Sequence, residues 1–119
     1  MLTTEERDVA RAAAAVLQSE MPAGFTGAVE SALASGGRQQ APPTYEPGTA
    51  IALGSLLVSA ASLAWTIYKD LRKETAQPSK SVLARKVRLR LSDEQMIDAN
   101  RAERIIEVVV EEVVKADPR

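Results

Sequence analysis

The sequence has no cysteine and no histidine, and only four of its 119 residues are aromatic. The absence of cysteine excludes disulfides, thiolate nucleophiles and cysteine-based zinc sites. The absence of histidine excludes the Ser-His-Asp and Cys-His arrangements and removes the commonest metal ligand. We therefore expect a protein that is not an enzyme, that holds no cofactor and no metal ion, and that has no small-molecule substrate.

Charged residues are arranged in blocks, although the net charge is only −1. Residues 1–48 carry three basic and six acidic side chains, residues 69–90 carry eight basic and two acidic, and residues 91–119 carry four basic and eight acidic. Residues 49–68 carry no charge at all. This segregation argues against one evenly built globule and indicates segments with separate roles.

Residues 1–35 form a helical segment in this prediction. Thr3 and Glu6 have the spacing of a capping box, which begins a helix over residues 4–21. A second helix over residues 26–34 is expected to pack against the first as a weak hairpin. Its apolar residues recur at four-residue spacing, as Phe25, Val29 and Leu33.

A linker rich in proline and glycine, residues 36–48, leads into an uncharged run of twenty residues, 49–68. At about 1.5 Å per residue this run spans roughly 30 Å, the hydrocarbon thickness of a bilayer, and so predicts a transmembrane helix. Residues typical of a membrane interface lie at its C-terminal end, namely Trp65, Tyr68, Lys69, Arg72 and Lys73. The alternative is a buried helix of a larger assembly, because hydroxyl side chains dilute the apolar character of the run.

The basic residues that follow the span predict its orientation. Residues 69–81 form a basic juxtamembrane segment, and positive flanks stay on the cytoplasmic side. We therefore expect a single-pass protein of the cell membrane with its N-terminus outside and its C-terminus in the cytoplasm. The lipid bilayer is then its first partner.

Small and hydroxylated residues recur along the span at alternating spacings of four and three. This small-residue seam consists of Gly48, Ala52, Ser55, Ser59, Ser62 and Thr66. In lipid such a seam permits close backbone approach, so it predicts self-association or packing against the helix of another protein. Two alternatives remain: the seam lines a narrow pore, or its hydroxyls bond to carbonyls of their own helix.

Residues 82–119 predict a small module of one strand and one helix. Apolar and basic residues alternate over residues 86–91, which is typical of a strand. The basic side chains here are candidate contacts for anionic lipid, namely Arg85, Lys86, Arg88 and Arg90. Nucleic acid is not expected as a partner, because no aromatic residue stands among them. Residues 101–115 repeat apolar pairs every four residues, which favours an amphipathic helix, although their valines also favour a strand.

The predicted fold is therefore mainly α, with an N-terminal helical segment, one transmembrane helix, and a small C-terminal strand-plus-helix module. In this layout residues 49–115 resemble the small single-pass accessory proteins encoded beside protease or nucleotidase effectors in actinobacterial conflict systems. The resemblance implies a non-catalytic bacterial membrane component that couples a trigger to a separate effector. It carries over no functional residue.

Three functions follow from these patterns. The first is a single-pass, membrane-anchored adaptor that self-associates and recruits another protein. The second is a small pore-forming or holin-like oligomer whose lumen is lined by the small-residue seam. The third is a soluble helical subunit of a larger assembly, in which residues 49–68 are buried.

Overall fold

The computed structural model describes residues 3–34, 50–76, 78–91 and 99–116, and these residues form five α-helices with no strand among them. The helices are α1 (Thr4–Leu17), α2 (Phe25–Ala34), α3 (Ala50–Arg72), α4 (Lys80–Leu91) and α5 (Ala99–Lys115). The prediction of a mainly helical chain is therefore confirmed. The predicted linker, residues 36–48, lies outside the described residues.

The N-terminal helix begins with the capping box that the sequence predicts. The Glu6 backbone N–H donates to Thr3 Oγ1 at 3.1 Å, and the Thr3 N–H donates to Glu6 Oε2 at 2.9 Å. A short 3-10 turn, Gln18–Glu20, extends α1. Gly24, with φ +90°, then turns the chain into α2, a conformation that glycine adopts without steric cost.

The centre of the bundle is α3, which packs against each of the other four helices. The expected hairpin is also present, since α1 contacts α2 and the α2 residues Phe25, Val29 and Leu33 are buried. Helices α1 and α5 pack together, as do α4 and α5. One continuous apolar core thus runs through all five helices.

Helices α2 and α3 approach each other closely at Gly54. A Cβ built on Gly54 would stand 2.7 Å from the Ala28 Cβ and 3.0 Å from the Val29 backbone nitrogen. No real Cβ fits at such distances, so a glycine is required here for the two backbones to come together. Because Gly54 and Ala28 are both small, the two helices pack closely and the leucines beside Gly54 reach the core.

The predicted strand over residues 86–91 is wrong, because these residues are the last two turns of α4. Helical spacing outweighs alternation here. The buried side chains of α4 recur three and four residues apart, as Leu83, Ala84, Val87 and Leu91. By contrast, Leu89, which the alternating pattern placed with Val87 and Leu91, is 67% exposed. A lone strand would also leave its backbone groups without partners, whereas a helix bonds them internally.

The helix predicted for residues 101–115 is confirmed as part of α5. Its apolar residues face the core, with Ile105, Ile106, Val109, Val110 and Val113 buried. The C-terminal module is accordingly a pair of packed helices, α4 and α5, and both pack on α3.

Candidate interaction surface

The two faces of α3 lie in different surroundings. On the inner face the leucines Leu53, Leu56 and Leu57 are at most 3% exposed. The small-residue seam lies on the other side, where Ala52, Ser55, Ser59 and Ser62 are half-buried and Thr66 is exposed. Gly48 lies outside the described residues. The other helices therefore cover the seam only in part.

One contact of the seam joins it to the start of the chain. The Ser62 hydroxyl donates to Glu6 Oε1 at 3.5 Å, and Glu6 is only 8% exposed. The same carboxylate caps α1, so one side chain satisfies the first turn of α1 and bonds a hydroxyl on α3. Sequence reasoning found the cap but not this second role, because the two residues are 56 positions apart.

The residues predicted as membrane-interface anchors separate into two groups. Trp65 and Tyr68 are 7% and 4% exposed, and their rings stack with centroids 6.2 Å apart. Lys69 and Lys73 are exposed, and Arg72 is half-buried. The aromatic pair thus lies within the bundle, while both lysines extend from its surface.

The four candidate lipid contacts on α4 are likewise divided. Arg88 donates from Nε to Glu103 Oε2 at 2.6 Å, joining α4 to α5. This hydrogen bond, together with the charge of Glu103, raises the pKa of Arg88 above its ordinary value. Arg85, Lys86 and Arg90 are exposed, so three of the four remain available to a partner.

A groove lies between the C-terminal end of α3 and the outer side of α4, with a volume of about 510 Å³. We call it the α3/α4 groove. Its apolar lining comes from Ile67, Leu71 and Leu89, and its basic lining comes from Lys73, Lys86 and Arg90. Asp70 and Glu74 lie on the α3 side, where Asp70 pairs with Lys73 at 3.7 Å. An apolar floor with charged edges is typical of a protein-binding surface.

Two bidentate ion pairs join different helical elements of the bundle. Arg104 of α5 donates from Nε and Nη2 to the Glu20 carboxylate at 2.9 and 3.0 Å. Arg11 of α1 bonds Glu30 of α2 in the same way, at 3.0 and 3.1 Å. Sequence reasoning missed both pairs, since no short-range pattern connects residues 84 or 19 positions apart.

The Glu20 pair predicts a dependence of stability on pH. Its hydrogen bond from Arg104 lowers the pKa of Glu20 in the folded protein. A carboxylate with a lowered folded-state pKa stabilises the fold above its unfolded-state pKa, and the contribution is lost as pH falls through the folded value. Urea midpoints of the parent and Glu20→Gln should differ at neutral pH and converge in acid. Arg104→Gln should remove the same pH dependence. A difference in urea midpoint between the parent and Glu20→Gln that persists in acid would contradict this assignment.

The described segments contain no group of three or more aspartates and glutamates arranged to hold a metal ion. Comparison with protein-family models finds no match, and neither curated proteins nor solved structures match the chain. The surface features above therefore carry the functional argument by themselves. They are contact features, namely a groove with charged edges, a basic helix and a half-covered hydroxyl face.

Proposed function

We propose that the chain is a non-catalytic interaction protein, and that α3 is the core helix of its folded bundle. The observation that carries this proposal is the division of α3 into a buried leucine face and a half-covered hydroxyl face. A helix of a water-soluble bundle needs that division, because it meets the core on one side and water on the other. A lone span surrounded by lipid has no such requirement.

The surroundings of Trp65 and Tyr68 support the same reading. Both rings are buried among the helices rather than extended toward a headgroup layer. Long-range ion pairs such as Arg104 with Glu20 also require that the N-terminal and C-terminal helices meet on the same side of any membrane. The predicted single-pass topology would place these two residues on opposite sides. In the bundle Arg104 Nε lies 2.9 Å from Glu20 Oε1.

Fractionation of cells that express the full chain tests this proposal. We expect recovery in the supernatant without detergent, release from any membrane fraction by alkaline carbonate, and one cooperative unfolding transition. Retention in carbonate-washed membranes would overturn the core-helix assignment.

The second candidate is the single-pass membrane adaptor, and one observation favours it. Helix α3 has 23 residues and is long and apolar enough to cross a membrane by length and composition. The basic residues after it would orient the N-terminus outside and the C-terminus in the cytoplasm. Protease added to right-side-out vesicles would then remove the N-terminal segment and spare the tail. Digestion of the C-terminal tail alone would show that the opposite orientation is the correct one.

A further inference from the structure

The α3/α4 groove offers an apolar floor beside an excess of positive charge. Leu89 stands at its edge, 67% exposed, with Lys86 and Arg90 beside it. Helix α4 contains five basic residues and no acidic one. Two of the five pair with α5, namely Lys80 with Glu111 and Arg88 with Glu103. An occupant of this groove therefore needs an apolar side chain and negative charge on the side that faces α4.

The outer face of α1 has these properties. Val16 is 46% exposed, and the small side chains of Ala12 and Ala15 beside it leave room for close approach. Glu5 and Asp8 are exposed toward the N-terminal end of the same helix. Among the described residues, Val16 and Leu89 are the two large apolar side chains that remain exposed.

The two surfaces do not meet within one copy of the chain. Helices α1 and α4 each pack on α3 and α5, but they make no extended contact with each other. Asp8 lies about two turns before Val16, and Lys86 lies about one turn before Leu89. These two spacings differ by about one helical turn, and the long lysine and arginine side chains of α4 can reach across that distance. The apolar and charged contacts can therefore form together.

We propose that the outer face of α1 in one copy docks into the α3/α4 groove of a second copy. This inference rests on the proposed function, because it requires the folded bundle. Val16 enters the groove beside Leu89, while Glu5 and Asp8 face the basic residues of α4. Asp70 and Glu74, on the opposite side of the groove, repel the acidic residues of α1 and so fix its orientation. Two different surfaces meet, so the contact is head-to-tail and builds a ring or an open chain.

Two single variants and their mixture test this contact in the full-length protein. Val16→Asp alters only the docking helix, and Leu89→Asp alters only the groove. Both positions are exposed, so each variant should fold with the circular dichroism of the parent. In sedimentation velocity without detergent, the parent should assemble as its concentration rises, and less so at high salt. Each variant alone should associate about tenfold more weakly or not at all.

The equimolar mixture of the two variants distinguishes this geometry from others. One intact α1 face and one intact groove remain in the mixture, so it should form a one-to-one dimer and nothing larger. Assembly that only Leu89→Asp abolishes would overturn the proposal in favour of groove-to-groove contact. A parent that stays monomeric would also overturn this proposal. So would flotation of the parent, but not of Leu89→Asp, with phosphatidylserine vesicles. Neither result would contradict the folded bundle. A parent that needs detergent to stay dispersed would overturn the proposed function as well.

Discussion

Leu57→Arg is expected to abolish folding of the bundle. Leu57 lies midway along α3 and is 0% exposed. Arginine there would place a charge in the apolar core without a partner, and such changes belong to the small class that costs more than about 4 kcal/mol. Small domains are stable by only about 5–15 kcal/mol. Circular dichroism during thermal and urea denaturation should show loss of the cooperative transition.

Ser59→Lys is the matched control, because it adds the same charge to the same helix on the half-buried seam. The lysine chain can extend along the surface and keep its ammonium group in water, so we expect a cost of about 1 kcal/mol or less. In a membrane span the two substitutions would be alike, at about 2.5–3.5 kcal/mol each near the centre. Equal sensitivity at the two positions would contradict the core-helix assignment.

Gly54→Ala is expected to have the second largest effect among the single changes considered. The new methyl group would stand 2.7 Å from the Ala28 Cβ and 3.0 Å from its carbonyl carbon, and that backbone atom cannot move aside as a flexible side chain would. Overpacking of this kind costs about 1–3 kcal/mol. Because neighbouring backbone atoms are in the way, we expect a cost near the top of that range, which exceeds the gain of about 1 kcal/mol in helix propensity. The free energy of unfolding from urea titration measures the difference.

Gly27→Ala provides the comparison within α2. Nothing lies within 4 Å of a Cβ built on Gly27, so the substitution keeps the propensity gain without a clash. We expect it to stabilise the protein by about 0.4–1 kcal/mol. If Gly54→Ala stabilised the protein as much as Gly27→Ala does, α2 and α3 would not approach as closely as described. A lipid-facing Gly54 would give that result.

The strength of the local signals explains which helices the sequence predicted. The Thr3–Glu6 capping box and the four-residue spacing of Phe25, Val29 and Leu33 are patterns within one or two turns, and each is present as expected. In α4 two patterns competed. Alternation over residues 86–91 suggested a strand, while Leu83, Ala84, Val87 and Leu91 already had helical spacing. The second pattern is longer, and it places its members against α3 and α5.

The candidate site depended on contacts that no local pattern reveals. Sequence reasoning placed Arg85, Lys86, Arg88 and Arg90 together as candidate lipid contacts. Only the position of Glu103 on α5 separates Arg88 from the other three, and only the packing of α4 beside α3 creates the groove. The orientation of the small-residue seam could be read from its spacing, but its partial exposure depends on how the other four helices cover α3.

The sequence by itself determined that the chain is mainly helical, where its first helix begins, and that the uncharged run contains a helix, which the structure describes from Ala50 onward. These properties follow from capping, spacing and composition over short stretches. The sequence alone does not determine whether lipid or protein surrounds this uncharged helix, because a helix of this length and polarity satisfies its own backbone hydrogen bonds in either environment. The tertiary structure decided which face of this helix its neighbours cover, because α2 packs against Gly54 and the leucine face of α3 is buried. Burial is a property of all five helices together, so no segment encodes it alone.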